Sequence, residues 1–189
     1  MQVVAFNGSP RKNGNTHYAI QQVFAPLLDA GIGCEEIRIG GVAVRGCLAC
    51  GKCRTEHPGR CAQSQDPMNE WIEKILAADA IILASPTYFA NVTTEMKALI
   101  DRAGFVCGAK KMLARRPGAP LVVARRGGAM QAYNALMAFY GINEMIVPMS
   151  NYWNVAFGLE PGTVAQDAEG IGTMTKLGEQ LAWLLRKLA

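Results

Sequence analysis

Cys47, Cys50, Cys53 and Cys61 stand in one short segment as Cys-x2-Cys-x2-Cys-x7-Cys. Three thiols at successive gaps of two residues fall on one tight wrap of backbone. That wrap presents three corners of an iron-sulfur cubane, and the fourth thiol returns from nearby. Four cysteines also suit a tetrahedral zinc site, although zinc sites usually combine two separate Cys-x2-Cys pairs, and the same thiols can be free. The successive spacings favour the cubane, so these four cysteines are the expected ligands of a 4Fe-4S cluster. Gly46, Gly51 and Gly59 let the segment bend, and Arg45, Lys52, Arg54 and Arg60 offset the charge of a thiolate-ligated cluster. His57 adds a nitrogen donor, though a loop histidine is more often solvated. Cys34 and Cys107 read as small buried hydrophobes.

Three other segments carry the chemistry of a phosphate and a flat ring. Gly8-Ser9-Pro10-Arg11-Lys12-Asn13-Gly14-Asn15-Thr16 offers side-chain donors at Ser9, Asn15 and Thr16, backbone N–H groups at Gly8 and Gly14, and a cation at Arg11. With a helix N-terminus behind it, such a loop suits a phosphate dianion. It is neither a Walker A loop nor Gly-x-Gly-x-x-Gly, which disfavours a nucleoside triphosphate or tightly held NAD. The plainer reading is a turn with Asn15 as a helix cap. Ser85-Pro86-Thr87-Tyr88-Phe89-Ala90-Asn91 joins a stiff proline to two aromatics, and an isoalloxazine ring needs apolar contact of that kind together with backbone donors. Arg125-Arg126-Gly127-Gly128 permits close backbone approach to a ligand, or is a solvated turn. Tyr152-Trp153-Asn154 is a candidate cover for the site.

These segments need a frame that brings them together. Gln2 to Phe6, Cys34 to Ile39, Ala80 to Ala84, Pro120 to Ala124 and a run around Glu144 to Val147 read as strands. Helices are expected over 15–29, from Asp66-Pro67 onward, over 94–105 and over 129–140, with a last one carrying Met174, Leu177, Leu181, Leu184 and Leu188 on one side. Pro26 interrupts the first helix and has no explanation in the pattern. Strands that alternate with helices predict an α/β fold with a parallel sheet covered on both faces. The flavodoxin-like five-strand order 2-1-3-4-5 is the natural topology, with ligands outside the carboxyl ends of the strands near the β1/β3 switch point. All three ring-and-phosphate loops then fall on that edge. The cysteine segment, about 40–65, becomes a long loop after strand 2.

Gly8, Ser9, Arg11, Gly14, Asn15 and Thr16 resemble the FMN-phosphate loop of the NADPH-dependent FMN reductase family, and the Ser-Pro-x-Tyr segment resembles that family's flavin-ring loop. The cysteine spacing narrows the resemblance to the iron-sulfur flavoproteins, which join FMN to a 4Fe-4S cluster. The last gap is long for such a motif, and Ala62 stands where bacterial ferredoxins have proline. Related reductases retain cysteines here without a cluster. The resemblance implies FMN held by Ser9, Arg11, Gly14, Asn15, Thr16, Pro86, Thr87, Tyr88, Phe89 and Asn91, and the glycine loop adds Arg126, Gly127 and Gly128 as candidate contacts read from its residues alone. The resemblance further implies flavin-based oxidoreductase chemistry with no separate catalytic side chain, NAD(P)H as a transient donor, ferredoxin or another electron donor or acceptor as partner, and a homodimer or homotetramer. An NAD(P)H-dependent FMN or quinone reductase without an occupied cluster is the alternative, and a zinc-stabilised interaction module is a third.

Bulk composition sets the outer limits. With 189 residues, half of them hydrophobic, the chain can bury one substantial core, and a single domain over 1–189 is expected. No apolar run approaches the roughly 20 residues of a membrane span, and no signal peptide is expected. Six cysteines in such a chain suit a reducing cytoplasm. The net charge of +4 is scattered, with no basic helix or aromatic-basic module, so no nucleic-acid partner is expected.

Overall fold

The computed structural model describes residues 1–189. Its elements are β1 (Gln2–Asn7), α1 (Asn15–Asp29), β2 (Gly33–Arg38), α2 (Lys52–Thr55), α3 (Met68–Ala77), β3 (Ala80–Pro86), α4 (Thr94–Gly108), β4 (Gly118–Ala124), α5 (Ala129–Ile142), β5 (Val155–Phe157) and α6 (Ala168–Leu188). The five strands form one parallel sheet of order β2-β1-β3-β4-β5, the flavodoxin-like order expected.

Strand alternation divides the core into two layers. Val3, Ala5, Ile82, Ala84, Leu121 and Val123 face α1 and α6, whereas Val4, Phe6, Ile81, Leu83 and Val122 face α3, α4 and α5. Both faces are apolar because helices cover both. Tyr140 of α5 ties the second layer to the sheet, with its hydroxyl donating to Ala119 O and accepting from Leu83 N. Burial pushes the Tyr140 phenol well above its usual pKa.

α6 packs so closely on α1 that a Cβ at Gly178 would lie 2.2 Å from Val23 O and 2.5 Å from Pro26 Cγ. Pro26 therefore stands in the last turn of α1 as part of a tight helix crossing, which accounts for its interruption of the apolar pattern. The buried stripe of α6 is Met174, Leu177, Leu181 and Leu185, while Leu188 is half exposed. The expected strand at Glu144–Val147 is a correction. Ile146 makes one isolated bridge to Pro117, and Pro148 has no N–H with which to continue a ladder. The fifth strand is instead Val155–Phe157, paired with Val122–Ala124. No helix is long and apolar enough to cross a membrane.

Candidate functional site

Loops from the carboxyl ends of β1, β3 and β4 meet at one edge. The loop after β1 is fixed from below. Asn7 Nδ2 donates to Glu36 of β2 at 2.7 Å, while Asn7 Oδ1 accepts from Ser9 N at 2.8 Å. His17 and Gln21 of α1 engage the other Glu36 oxygen at 2.7 and 2.9 Å. Gly8 N donates to Ala84 O at the end of β3, and Thr93 Oγ1 donates to Gly8 O at 3.0 Å. Gly14 caps α1, no side chain caps its first turn, and no acid lies there. Amides at such a helix start lack intrahelical partners, and the dipole favours an anion.

The expected phosphate residues divide on this geometry. Ser9 and Thr16 are buried beside the helix start, and Ser9 Oγ accepts from Arg11 N at 3.3 Å. Asn15 spends its side chain elsewhere: Nδ2 donates to Glu160 O at 2.9 Å, and Oδ1 accepts from Gly162 N at 2.8 Å. Arg11 also reaches that loop, donating from Nη1 to Leu159 O at 3.1 Å. These two side chains therefore close the 158–164 segment over the loop after β1, and Asn15 retains its first-turn amide for an anion.

The loop after β3 is a tight reversal. Tyr88 and Asn91 exchange backbone hydrogen bonds at 2.9 and 3.0 Å, and Phe89 and Ala90 between them have φ of 47° and 58°. Two non-glycine residues in the left-handed region cost conformational energy that only surrounding structure or function maintains. Phe89 sits fully exposed at the tip, while Thr87 Oγ1 is buried without a hydrogen-bond partner. Gly128, at φ 87°, lies against this reversal so closely that a Cβ would meet Ala90 Cα at 2.9 Å. The loop after β4 is thereby joined to the loop after β3, with Arg126 and Gly127 exposed beside it and Pro86 half-buried at the strand end. An unpartnered buried hydroxyl, an exposed aromatic edge at Tyr88 and Phe89 and uncapped amides fit a flavin with its phosphate.

The cysteine loop leaves β2 directly over the phosphate loop. A Cβ at Gly40 would lie 2.2 Å from Ser9 C and 2.4 Å from Gly8 O, so only glycine fits. Gly41 N donates to Glu95 of α4 at 3.0 Å. Farther along, α2 buries Cys53 against the core, whereas Cys50 is exposed. Cys53 has its pKa raised by burial first and then by Cys61, Cys47 and Cys50, which stand near enough for their charges to act. The donor set, four cysteines on one loop, is one that suits a 4Fe-4S cluster. His57 stays half exposed beside Glu56.

Cys61 is firmly held. Its N–H donates to Asn69 Oδ1 at 2.8 Å, its carbonyl accepts from Asn69 Nδ2 at 3.0 Å, and its sulfur accepts from Arg102 Nε at 3.3 Å. Sequence reasoning missed Arg102, Asn69, Asn7, Glu36 and Gly40. Arg102 had a signal: it occupies the buried face of α4 among Leu99, Ala103 and Val106, where the helical period calls for an apolar residue.

An α/β sheet of order 2-1-3-4-5 with ligand loops at its carboxyl edge defines a flavodoxin-like protein. The solved structure of RosB with bound 8-demethyl-8-formylriboflavin-5'-phosphate superposes with a TM-score of 0.77 over the whole chain and 80% of that one, at 16% identity. The family model for NADPH-dependent FMN reductases matches residues 1–160. An iron-sulfur flavoprotein of Methanocaldococcus jannaschii is 31% identical over 98% of both chains, and one from Archaeoglobus fulgidus is 32% identical over 96% of this chain and 79% of its own. The chain belongs to the NADPH-dependent FMN reductase family and is a flavin-dependent oxidoreductase.

Proposed function

We propose that this protein binds FMN at the β1, β3 and β4 loops, binds a 4Fe-4S cluster through Cys47, Cys50, Cys53 and Cys61, and transfers electrons between them. The observation that carries the reading is the contact of Gly40 with Ser9, which makes the start of the cysteine loop one wall of the phosphate loop. Ser9, Thr16 and the first-turn amides of α1 hold the phosphate, and Arg11 adds charge at the rim. The Tyr88–Asn91 reversal and Gly128 bound the ring, and Thr87 Oγ1 supplies a hydrogen bond to it. Bound there, FMN takes electrons singly or in pairs while a cluster passes them one at a time, so the pair links one-electron and two-electron carriers. Relatives named iron-sulfur flavoproteins support the cluster. The residue set over 1–189 acts as one domain in the cytoplasm, where its thiols stay reduced, with ferredoxin or a similar carrier as donor.

A second reading, an NAD(P)H-dependent FMN or quinone reductase with the cysteine loop empty, is favoured by the family match over residues 1–160. Anaerobic flavin reduction separates the two. Reduction by a reduced ferredoxin, with little NADPH oxidation in its absence, is expected. Rapid steady-state NADPH oxidation with no protein donor, unaffected by Cys50→Ser, would support the second reading.

A further inference from the structure

A guanidinium on the apolar face of a helix must be accounted for by what it holds. Arg102 is 1% exposed, and it makes four hydrogen bonds into the cysteine loop. Nε donates to Cys61 Sγ at 3.3 Å, Nη1 to Arg45 O at 3.1 Å and to the Asp66 carboxylate, and Nη2 to Gln63 O at 2.9 Å. These acceptors flank the segment that carries Cys47, Cys50 and Cys53. Burying a charge costs several kcal/mol unless it is paired, so the loop and the arginine require one another. Asp66 pairs with the guanidinium, whose Nε–H is aimed at the Cys61 sulfur.

From this arrangement we infer that Arg102 is a positioning residue for the cluster, holding Cys61 as the fourth ligand and, through the Nε–H to Sγ hydrogen bond, favouring the reduced form of the cluster. The inference rests on the cluster reading above and adds to it a residue outside the cysteine motif. One-electron reduction adds one negative charge to the cluster and its thiolates. A donor aimed at a ligand sulfur stabilises that added charge, so its loss lowers the reduction potential.

The test is potentiometric titration of the anaerobic holoprotein, with the reduced cluster followed by electron paramagnetic resonance, in wild type, Arg102→Lys and Arg102→Met. Lysine keeps a cation opposite Asp66 but has no Nε–H at the sulfur. It is expected to load iron and FMN fully while the reduced-to-oxidised ratio at a fixed potential falls about tenfold, ~59 mV for a one-electron couple. Methionine is expected to lose iron and sulfide while keeping FMN, and hydrogen exchange over 45–66 in the metal-free protein should be faster than in wild type. Loss of iron with retention of FMN in Arg102→Lys would support the positioning role as well. A fully loaded Arg102→Lys protein with the wild-type potential overturns the inference, and so does joint loss of FMN and fold in that variant. Wild-type protein without iron would instead overturn the cluster reading beneath it.

Discussion

Thr16 and Ser9 sit where α1 begins without a cap, so their hydroxyls belong to the part of the site that a phosphate would complete. Thr16→Val keeps shape and removes the donor. Hydrogen bonds to charged groups contribute about 1.5–3 kcal/mol, so FMN affinity of the apoprotein should fall at least about tenfold in a flavin titration. Unchanged affinity in the Ser9→Ala, Thr16→Val double variant would remove the loop from the site. Cys107 lies fully buried in α4, and burial raises its thiol to about 12. The unfolded chain releases that proton near pH 9 while the folded chain keeps it. The folded state then binds more protons, and stability falls as pH rises between those values, by at most about 1.4 kcal/mol per pH unit from this group. Urea unfolding from pH 8.5 to 10.5 should therefore show a shallower decline for Cys107→Ala than for wild type. Residue types near motifs were legible: the Ser9 loop and the four cysteines announce themselves by spacing. The side chain of Asn15 was not, because its partners Glu160 and Gly162 are some 145 residues away along the chain and only the fold brings them close.

At the scale of elements, the site depends on loops that touch. Gly40 presses on Ser9 and Gly8, and backbone there cannot yield as the end of a flexible side chain can. Gly40→Ala should destabilise the protein by about 1–3 kcal/mol and weaken flavin binding, since overpacking displaces the phosphate loop. Gly46→Ala, which meets nothing within 4 Å, should leave both unchanged. Chemical denaturation with and without FMN checks the pair, and equal behaviour of the two variants would separate the cysteine loop from the flavin site. Strands β1, β3 and β4 could be read from short apolar runs because burial on both sides demands them, whereas the edge strand β2 is only partly buried and carries Glu35, Glu36 and Arg38. β5 could not: Val155–Phe157 is three residues long and flanked by a polar segment, whereas Met145, Ile146 and Val147 carry the stronger apolar signal but end at Pro148. α2 is a single turn within a glycine-rich loop, too short to leave a period in the sequence.

For the whole molecule, several exposed apolar residues lie on the loops after β2 and β3 and on the segment before β5. Leu48, Tyr88, Phe89, Tyr152 and Trp153 are all close to half exposed or more, and Tyr152 and Trp153 meet edge to face at 4.7 Å between ring centres. Such residues supply interface cores. Arg102, the anchor of Cys61, lies eight residues along α4 from Thr94, or about 12 Å at 1.5 Å per residue. The Cys61 end of the cysteine loop is thus anchored away from the flavin edge that its start touches, and a homodimer or homotetramer that sets one subunit's loop against another's flavin would shorten the path. Light scattering should give at least a dimer, and flavin reduction through the cluster should slow on dilution; a loaded monomer that passes electrons at the undiluted rate would make assembly unnecessary. The central claim is that one chain carries both cofactors. Its most direct measurement is the FMN, iron and sulfide content of anaerobically purified protein, read together with its visible spectrum. The expected result is one FMN, four irons and four sulfides per chain, and a protein that holds zinc and no flavin would contradict the account.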